Sequence, residues 1–312
     1  MEKLLQGRVI SGQKLAKKFG IATANLEIFA GNLAETGVYI VESFLPTGEK
    51  LSGVMHYGKR ETTDSQFSVE VHFLDFSRDL YGENLKIKVL QKIRETRKFS
   101  SVEQLFSQIR KDITQTRKFF LRRKIKEIWK NLDQKSREIL AEKAFSKVSK
   151  LPDFLSAKNI YIYAPKSDEI AFVDKLCAKF PEKKYFFPKI INGEMKFFRG
   201  IFYELKVGKW GIREPQASNQ LAPLSEEKIG KVESTLIFVP ALGADFAGNR
   251  LGNGGGFYDW FLQKVLVSSK PPLATPCQGE NVKTICVLPE FAVFPEIPVE
   301  EWDIKIDEVL VV

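Results

Sequence analysis

Histidine is almost missing from this chain: 312 residues contain two, His56 and His72. Both fall in the first quarter, which excludes a Ser-His-Asp triad or a histidine-based zinc site built wholly from the remainder. Cysteine is scarce as well. Cys177, Cys277 and Cys286 are odd in number and lack metal-ligand or redox spacing, which fits free thiols in a reducing compartment. No apolar run approaches the roughly 20 residues of a membrane helix, and Met1 to Ile10 carries Glu2 and no hydrophobic block like that of a signal peptide. A cytoplasmic protein with no membrane partner is therefore expected. Glycine and proline are absent from Glu83 to Leu151, so no floppy linker joins the two halves. Phe99 to Lys150 should be mainly helical, with a semi-rigid helical junction near Arg117.

What is present is a globular composition, 44% hydrophobic and 28% charged, at a length that suits two domains. The net charge of +9 is concentrated: Lys86 to Lys130 holds 15 Lys or Arg against 4 Asp or Glu, a net of +11 that leaves −2 elsewhere. A solvated helix face ranks first as its explanation, anionic small molecules second and nucleic acid third. Base-stacking aromatics are not interleaved as a single-strand binder requires, so no specific nucleic-acid partner is expected.

The stretch with the clearest chemistry is Gly248 to Trp260, GNRLGNGGGFYDW. The apolar run Ser234 to Leu242 before it reads as a buried strand, and Phe257, Phe261, Val265 and Leu266 after it have near-helical spacing. Gly252, Gly254, Gly255 and Gly256 let backbone N–H groups approach a ligand without Cβ interference. Those amides and the positive end of a helix favour an anion. Arg250 adds a fork for phosphate oxygens, while Asp245 and Asp259 are hard oxygen ligands suited to Mg²⁺ beside a nucleotide. A glycine-rich surface turn is the alternative. A Walker loop is excluded because Asn249 and Arg250 follow Gly248, and a Rossmann fingerprint because Phe257 stands where its third glycine would be.

From Leu4 to Leu90 short alternating runs separated by turn signals predict an all-β small barrel. A closing helix follows from about Val102, with Val102, Leu105, Phe106, Ile109 and Ile113 on one face. Within this region GRVISGQKLAKKFGIATANL (Gly7 to Leu26), GVMHYGKRET (Gly53 to Thr62), VEVHFLDF, DLYG and IRETRKF occur in an order that resembles riboflavin kinase over residues 5 to 118. The resemblance implies that Thr23 and Asn25 hold Mg²⁺ and the ATP phosphates, and that Glu70 is the general base for the ribityl hydroxyl. Ala22 stands where that family has proline, and Glu61 where a second Pro-Thr is usual. Without the fixed φ of proline these loops cost more entropy to hold. No paired-His nucleotidyl motif accompanies the barrel, so FAD synthesis is not expected.

Beyond it, apolar strands at Asn159 to Ala164 and Lys184 to Pro188 alternate with helical patterns at Arg137 to Ser149 and Ile170 to Phe180. This predicts an α/β domain with a largely parallel sheet. KFFLRRKIKEIW (Lys118 to Trp129), KSDEI, WGIREP (Trp210 to Pro215), VPALGAD and the glycine loop together resemble 5-formyltetrahydrofolate cyclo-ligase, also called methenyltetrahydrofolate synthetase, over about residues 117 to 312. Lys118, Arg122, Arg250, Gly252, Gly254, Gly256 and Tyr258 would then bind ATP, with Arg250 also catalytic. Asp245 and Asp259 would serve the metal, and Glu169 and Trp210 the folate. The proline-rich stretch Ser268 to Lys283 reads as an inserted surface loop.

The resulting expectation is two domains, 1–116 and 117–312. The second would convert 5-formyltetrahydrofolate to 5,10-methenyltetrahydrofolate, and the first would phosphorylate riboflavin to FMN, both with ATP and Mg²⁺. The competing readings are a cyclo-ligase carrying a catalytically silent flavin- or nucleotide-binding barrel, and a nucleic-acid binder using the basic stretch.

Overall fold

The computed structural model describes residues 3–11, 21, 23–59, 67–208, 211–216, 233–267 and 282–312. Ala22, Glu61, Trp210, Cys277 and nearly all of the proline-rich stretch lie outside them. The chain divides into two compact units, Met1–Phe120 and Leu121–Val312. The division falls inside a helix, a few residues beyond 116.

The first unit is the expected barrel. Strands β1 (Lys3–Ile10), β2 (Ala24–Ala30), β3 (Gly37–Phe44), β4 (Lys50–Lys59), β5 (Phe67–Phe73) and β6 (Asn84–Arg94) close in the order β1-β2-β5-β4-β3-β6, with every pairing antiparallel. Alternation along each strand sends one set of side chains inward. Leu5, Leu26, Tyr39, Val41, Met55, Val69, Val71, Leu85 and Ile87 fill the interior. Closure leaves no open sheet edge. On β3 the opposite face is buried too, at Val38 and Ile40.

Helix α1 (Val102–Asn131) begins where Ser101 Oγ accepts from the backbone N–H of Gln104 at 3.3 Å, a serine cap. With no glycine or proline it runs unbroken for 30 residues through the position expected for a helical junction. Its first part is fixed to the barrel by a buried charge pair. Arg94 at the end of β6 donates from Nε and Nη2 to the Asp112 carboxylate at 2.8 to 3.1 Å, and Gln108 Nε2 adds a bond at 2.9 Å. Arg117 makes a second, exposed pair with Asp75 at 2.7 Å. Part of the basic stretch is thus neutralised within its own unit.

In the second unit α2 (Gln134–Val148) is capped by Asp133, whose Oδ1 accepts from Ser136 N at 2.7 Å. There follow α3 (Pro152–Ser156), β7 (Asn159–Tyr161), α4 (Val173–Lys179), β8 (Lys184–Ile191), β9 (Glu194–Arg199), a short hairpin of β10 (Lys206–Val207) and β11 (Arg213–Glu214), and β12 (Thr235–Phe238). A second hairpin of β13 (Gly243–Ala244) and β14 (Arg250–Leu251) precedes α5 (Phe257–Leu262), β15 (Val282–Leu288) and β16 (Glu308–Val311). The main sheet has the order β16-β15-β12-β7-β8-β9. Its first five strands are parallel, as expected, and β9 is an antiparallel edge turned back through Asn192 and Gly193, both at positive φ. Ile160, Phe187, Leu236, Phe238 and Ile285 place the core on this sheet.

The Asp112 carboxylate is buried and its charge is balanced chiefly by Arg94. Truncating one partner strands the other, so Asp112→Ala should lower the stability of the N-terminal unit by about 2–3 kcal/mol. Scanning calorimetry would read this as an early transition. The double variant Arg94→Met with Asp112→Leu should recover most of the loss.

Candidate functional site

Chain order places the site in the second unit. From β7 the chain crosses to β8 on one side, while β12 lies on the other, so the connections reverse direction between β7 and β12. The crevice at the carboxyl ends of two such strands is where open α/β sheets bind ligands. The segment leaving β7 leads through Tyr163 to Glu169. The segment leaving β12 leads through Pro240 to the β13–β14 hairpin and the glycine loop.

Asp245 builds the hairpin. Its Oδ1 accepts from the backbone of Ala247 (3.0 Å) and Asn249 (2.9 Å), and its Oδ2 from Asn249 Nδ2 and Ile297 N, both at 2.9 Å. Burial alone would raise its pKa, but these four bonds outweigh it and hold the carboxyl below its usual value. Gly248 makes the turn at φ +82°, where a Cβ would stand 2.3 Å from the Ile306 carbonyl oxygen. The hairpin is thereby seated on the C-terminal segment, and all four acceptor positions of Asp245 are in use.

Arg250 opens β14 with 8% of its surface exposed. Nη1 donates to the Pro240 carbonyl at 2.9 Å, Nη2 pairs with Asp259 at 2.8 Å, and the guanidinium lies 5.9 Å from the Tyr258 ring centre. Among the described residues its buried Nε has no partner, and neither does the buried Tyr258 hydroxyl. Buried polar groups are rarely left in this state; among the described residues Ser43 Oγ and Asp174 Oδ1 share it, but Arg250 and Tyr258 lie beside each other.

Arg122 on α1 donates from Nε to the Gly252 carbonyl at 2.7 Å. Gly254, at φ +101°, opens toward the same guanidinium, 3.8 Å from where its Cβ would be. Burial lowers the Arg122 pKa, opposed by the charges of Glu300 and Asp303 and reinforced by Arg250. Two arginines and two carboxylates from distant segments therefore converge on the loop. Gly256, at φ +68°, precedes α5, which runs for six residues before a wider turn over 263–267. Such a short helix leaves anion attraction mainly to the arginines and the loop amides.

Glu169 closes the site on the β7 side. Burial pushes its carboxyl up to about 7, against the bond its Oε2 accepts from Lys166 N at 2.9 Å. Its charge in turn raises the Tyr163 and Tyr258 phenols, both already raised by burial. The turn is braced by Arg137, which donates to the carbonyls of Ser167, Trp129 and Leu132. Of the residues expected from sequence, Arg122, Arg250, Gly252, Gly254, Tyr258, Asp259 and Glu169 are thus brought near one another. Lys118 is buried on α1, and Trp210 lies outside the described residues.

Sequence reasoning missed Asp303 and Glu300. Ile304 N approaches Asp259 Oδ1 at 3.5 Å, and the neighbouring Asp303 accepts from Glu300 N through Oδ2 at 2.8 Å. The only signal was the acidic spacing in EEWDIKID, which has no meaning without the fold.

A second constellation lies in the barrel. Asn25 on β2 and Glu70 on β5 are direct cross-strand partners on the outer face, and Ser68 Oγ donates to Glu70 Oε1 at 3.1 Å. Thr23 is two residues before Asn25, just ahead of β2.

Comparison with known proteins gives matches to both units. Residues 2–120 match the family model for riboflavin kinase, and residues 114–312 that for the 5-formyltetrahydrofolate cyclo-ligase family. A bifunctional riboflavin kinase/FMN adenylyltransferase of Haemophilus influenzae is 39% identical over 115 residues, 36% of this chain and 37% of the relative. An RNA-binding riboflavin kinase of Bacillus subtilis is 39% identical over 38% of this chain and 51% of its own length. The chain thus spans between a third and about half of the curated relatives that it matches. An Aquifex aeolicus 5,10-methenyltetrahydrofolate synthetase structure aligns with a TM-score of 0.50 at 29% identity, covering 62% of this chain and 89% of that one.

The raised Glu169 value has a stability consequence. Its folded value lies above the roughly 4.3 of an unfolded glutamate, so the stability it contributes is complete below about pH 4 and is lost as pH rises through about 7. Glu169→Gln abolishes that loss. In denaturant titrations the variant should match the parent at pH 4 and exceed it by about 3–4 kcal/mol at pH 8; a difference independent of pH would contradict the burial argument.

Proposed function

We propose, from the premise that this chain belongs to the 5-formyltetrahydrofolate cyclo-ligase family through residues 114–312, that its C-terminal unit converts 5-formyltetrahydrofolate to 5,10-methenyltetrahydrofolate at the expense of ATP. The observation that carries the reading is the pair of unpartnered buried atoms, Arg250 Nε and the Tyr258 hydroxyl, at the sheet's reversal point. They offer a donor and a donor–acceptor to an oxyanionic ligand.

In this reading Arg122, Arg250, Lys118 and the loop amides at Gly252, Gly254 and Gly256 hold the triphosphate. The γ-phosphoryl group passes to the formyl oxygen on N5, forming a P–O bond as the bond to ADP breaks. N10 then attacks the activated carbon, and phosphate leaves with the C–O bond as N10 gives up its proton. Glu169 faces the folate. Its carboxyl, poised at about 7, exchanges a proton at neutral pH. The described residues contain no group of three or more His, Cys, Asp or Glu that could cage a metal. Mg²⁺ held with nucleotide phosphates needs only one or two carboxylates, and Asp259 would supply one. There the ion would neutralise phosphate charge. Asp245, whose oxygens are already occupied, acts instead by holding the hairpin that carries Arg250.

For the barrel we propose phosphorylation of riboflavin to FMN, with Glu70 taking the proton of the ribityl hydroxyl and Thr23 and Asn25 positioning Mg²⁺ and the ATP phosphates. The adjacency of Asn25 and Glu70 supports it.

The test measures ADP released by the purified chain with MgATP and either acceptor. Arg250→Ala should lower 5-formyltetrahydrofolate-dependent turnover at least 100-fold, by analogy with removal of a preorganised transition-state donor, and leave riboflavin-dependent turnover intact. Glu70→Gln should do the reverse. Release of ADP with neither acceptor would refute both assignments.

A further inference from the structure

On the outer face of the barrel, the β-ladder sets side chains in one lateral row across five strands. Asn25 (β2) is the Cα partner of Glu70 (β5), Glu70 of His56 (β4), His56 of Val38 (β3), and Val38 of Arg94 (β6). Direct partners on one face of an antiparallel pair have Cβ atoms about 4.5–5.5 Å apart. An imidazole and a carboxylate in that relation are within hydrogen-bonding reach. Residues 55 and 69 on the same strands point into the interior core, which fixes His56 and Glu70 on the outside together.

We propose that His56 is a positioning residue for Glu70, donating an imidazole N–H to the carboxylate and holding it in the orientation in which it accepts the substrate hydroxyl's proton. The proposal rests on reading the barrel as a riboflavin kinase. Ser68 Oγ already binds Oε1 of Glu70 from the same strand. A second donor from β4 leaves the carboxylate with little freedom to rotate, and preorganisation of this kind supports catalysis.

From β5 His56 faces Glu70, flanked by Ser68 and His72; from β3 it faces the apolar Val38. Arg94 stands one strand further and is paired with Asp112 of α1. Glu70 is the acidic Cα partner of His56 across the β4–β5 ladder.

Two histidines in the whole chain make the test clean. Ring resonances of the full-length protein are titrated by NMR, and His56→Asn identifies the His56 signal by subtraction. In Glu70→Gln the His56 midpoint should move to lower pH by about 0.5–1 unit, because the neighbouring charge that favours the imidazolium is gone. Riboflavin-dependent kcat should drop about tenfold in His56→Ala while KM for ATP stays within about twofold. His56→Asn keeps an N–H donor, so it should restore most of kcat. Equal midpoints in parent and Glu70→Gln overturn the pairing even where the kinase is active, and an unchanged kcat in His56→Ala overturns the positioning role. Lack of riboflavin turnover in the parent overturns the kinase reading and the catalytic use of the pair. The midpoint shift reports on the pair separately.

Discussion

A guanidinium removed from water must find an acceptor for each side of its fork, and Arg250 is the residue on which this demand falls most heavily. Desolvating such a cation costs several kcal/mol unless it is paired. The fold meets the cost on two sides, with the Pro240 carbonyl and Asp259, and leaves Nε without a partner among the described residues. The surrounding sequence follows from that. Asp245 gathers four donors to fix the hairpin on which Arg250 begins, Gly248 lets that hairpin lie against Ile306, and Gly252 keeps a Cβ out of the space within 2.9 Å of Arg250 Nη1. Arg122 adds a second cation, moderated by Glu300 and Asp303 so that the two arginines can be near each other.

The two units solve the placement of polar chemistry differently. In the barrel every edge is paired and the interior is filled with apolar side chains, so polar groups are carried on the outside, across neighbouring strands, where Asn25, Glu70 and His56 share one row. In the parallel-sheet unit both faces are covered, and the open position is the crevice where the connections reverse between β7 and β12. One helix, α1, contributes to each unit: Asp112 and Arg117 to the first, Arg122 and Ile125 to the second.

Much of this was legible in the residues. Period-two alternation outlined the barrel, the lack of glycine and proline outlined α1, and apolar runs between helical patterns gave the parallel sheet. The glycine loop stood out because its residue types are rare together. What could not be read depends on distant contacts. Arg122 meets Gly252 across 130 positions, and the Ile304 backbone reaches Asp259 only because the C-terminal segment folds back over the loop. Asp245 was grouped with Asp259 as a metal ligand since both are aspartates flanking the glycines, yet one carboxylate is occupied by four internal donors and the other faces an arginine. The antiparallel edge β9 carried a usable signal, Asn192-Gly193 between two apolar runs, that the emphasis on alternating helices and strands passed over.

The central claim is that the unpartnered atoms at the reversal point exist to bind nucleotide. A crystal structure of the full chain with a non-hydrolysable ATP analogue and Mg²⁺ addresses it most directly. The account predicts phosphate oxygens within hydrogen-bonding distance of Arg250 Nε and of the Arg122 guanidinium, with the metal beside Asp259. A triphosphate bound elsewhere in the C-terminal unit, with Arg250 Nε still unpaired, would contradict it.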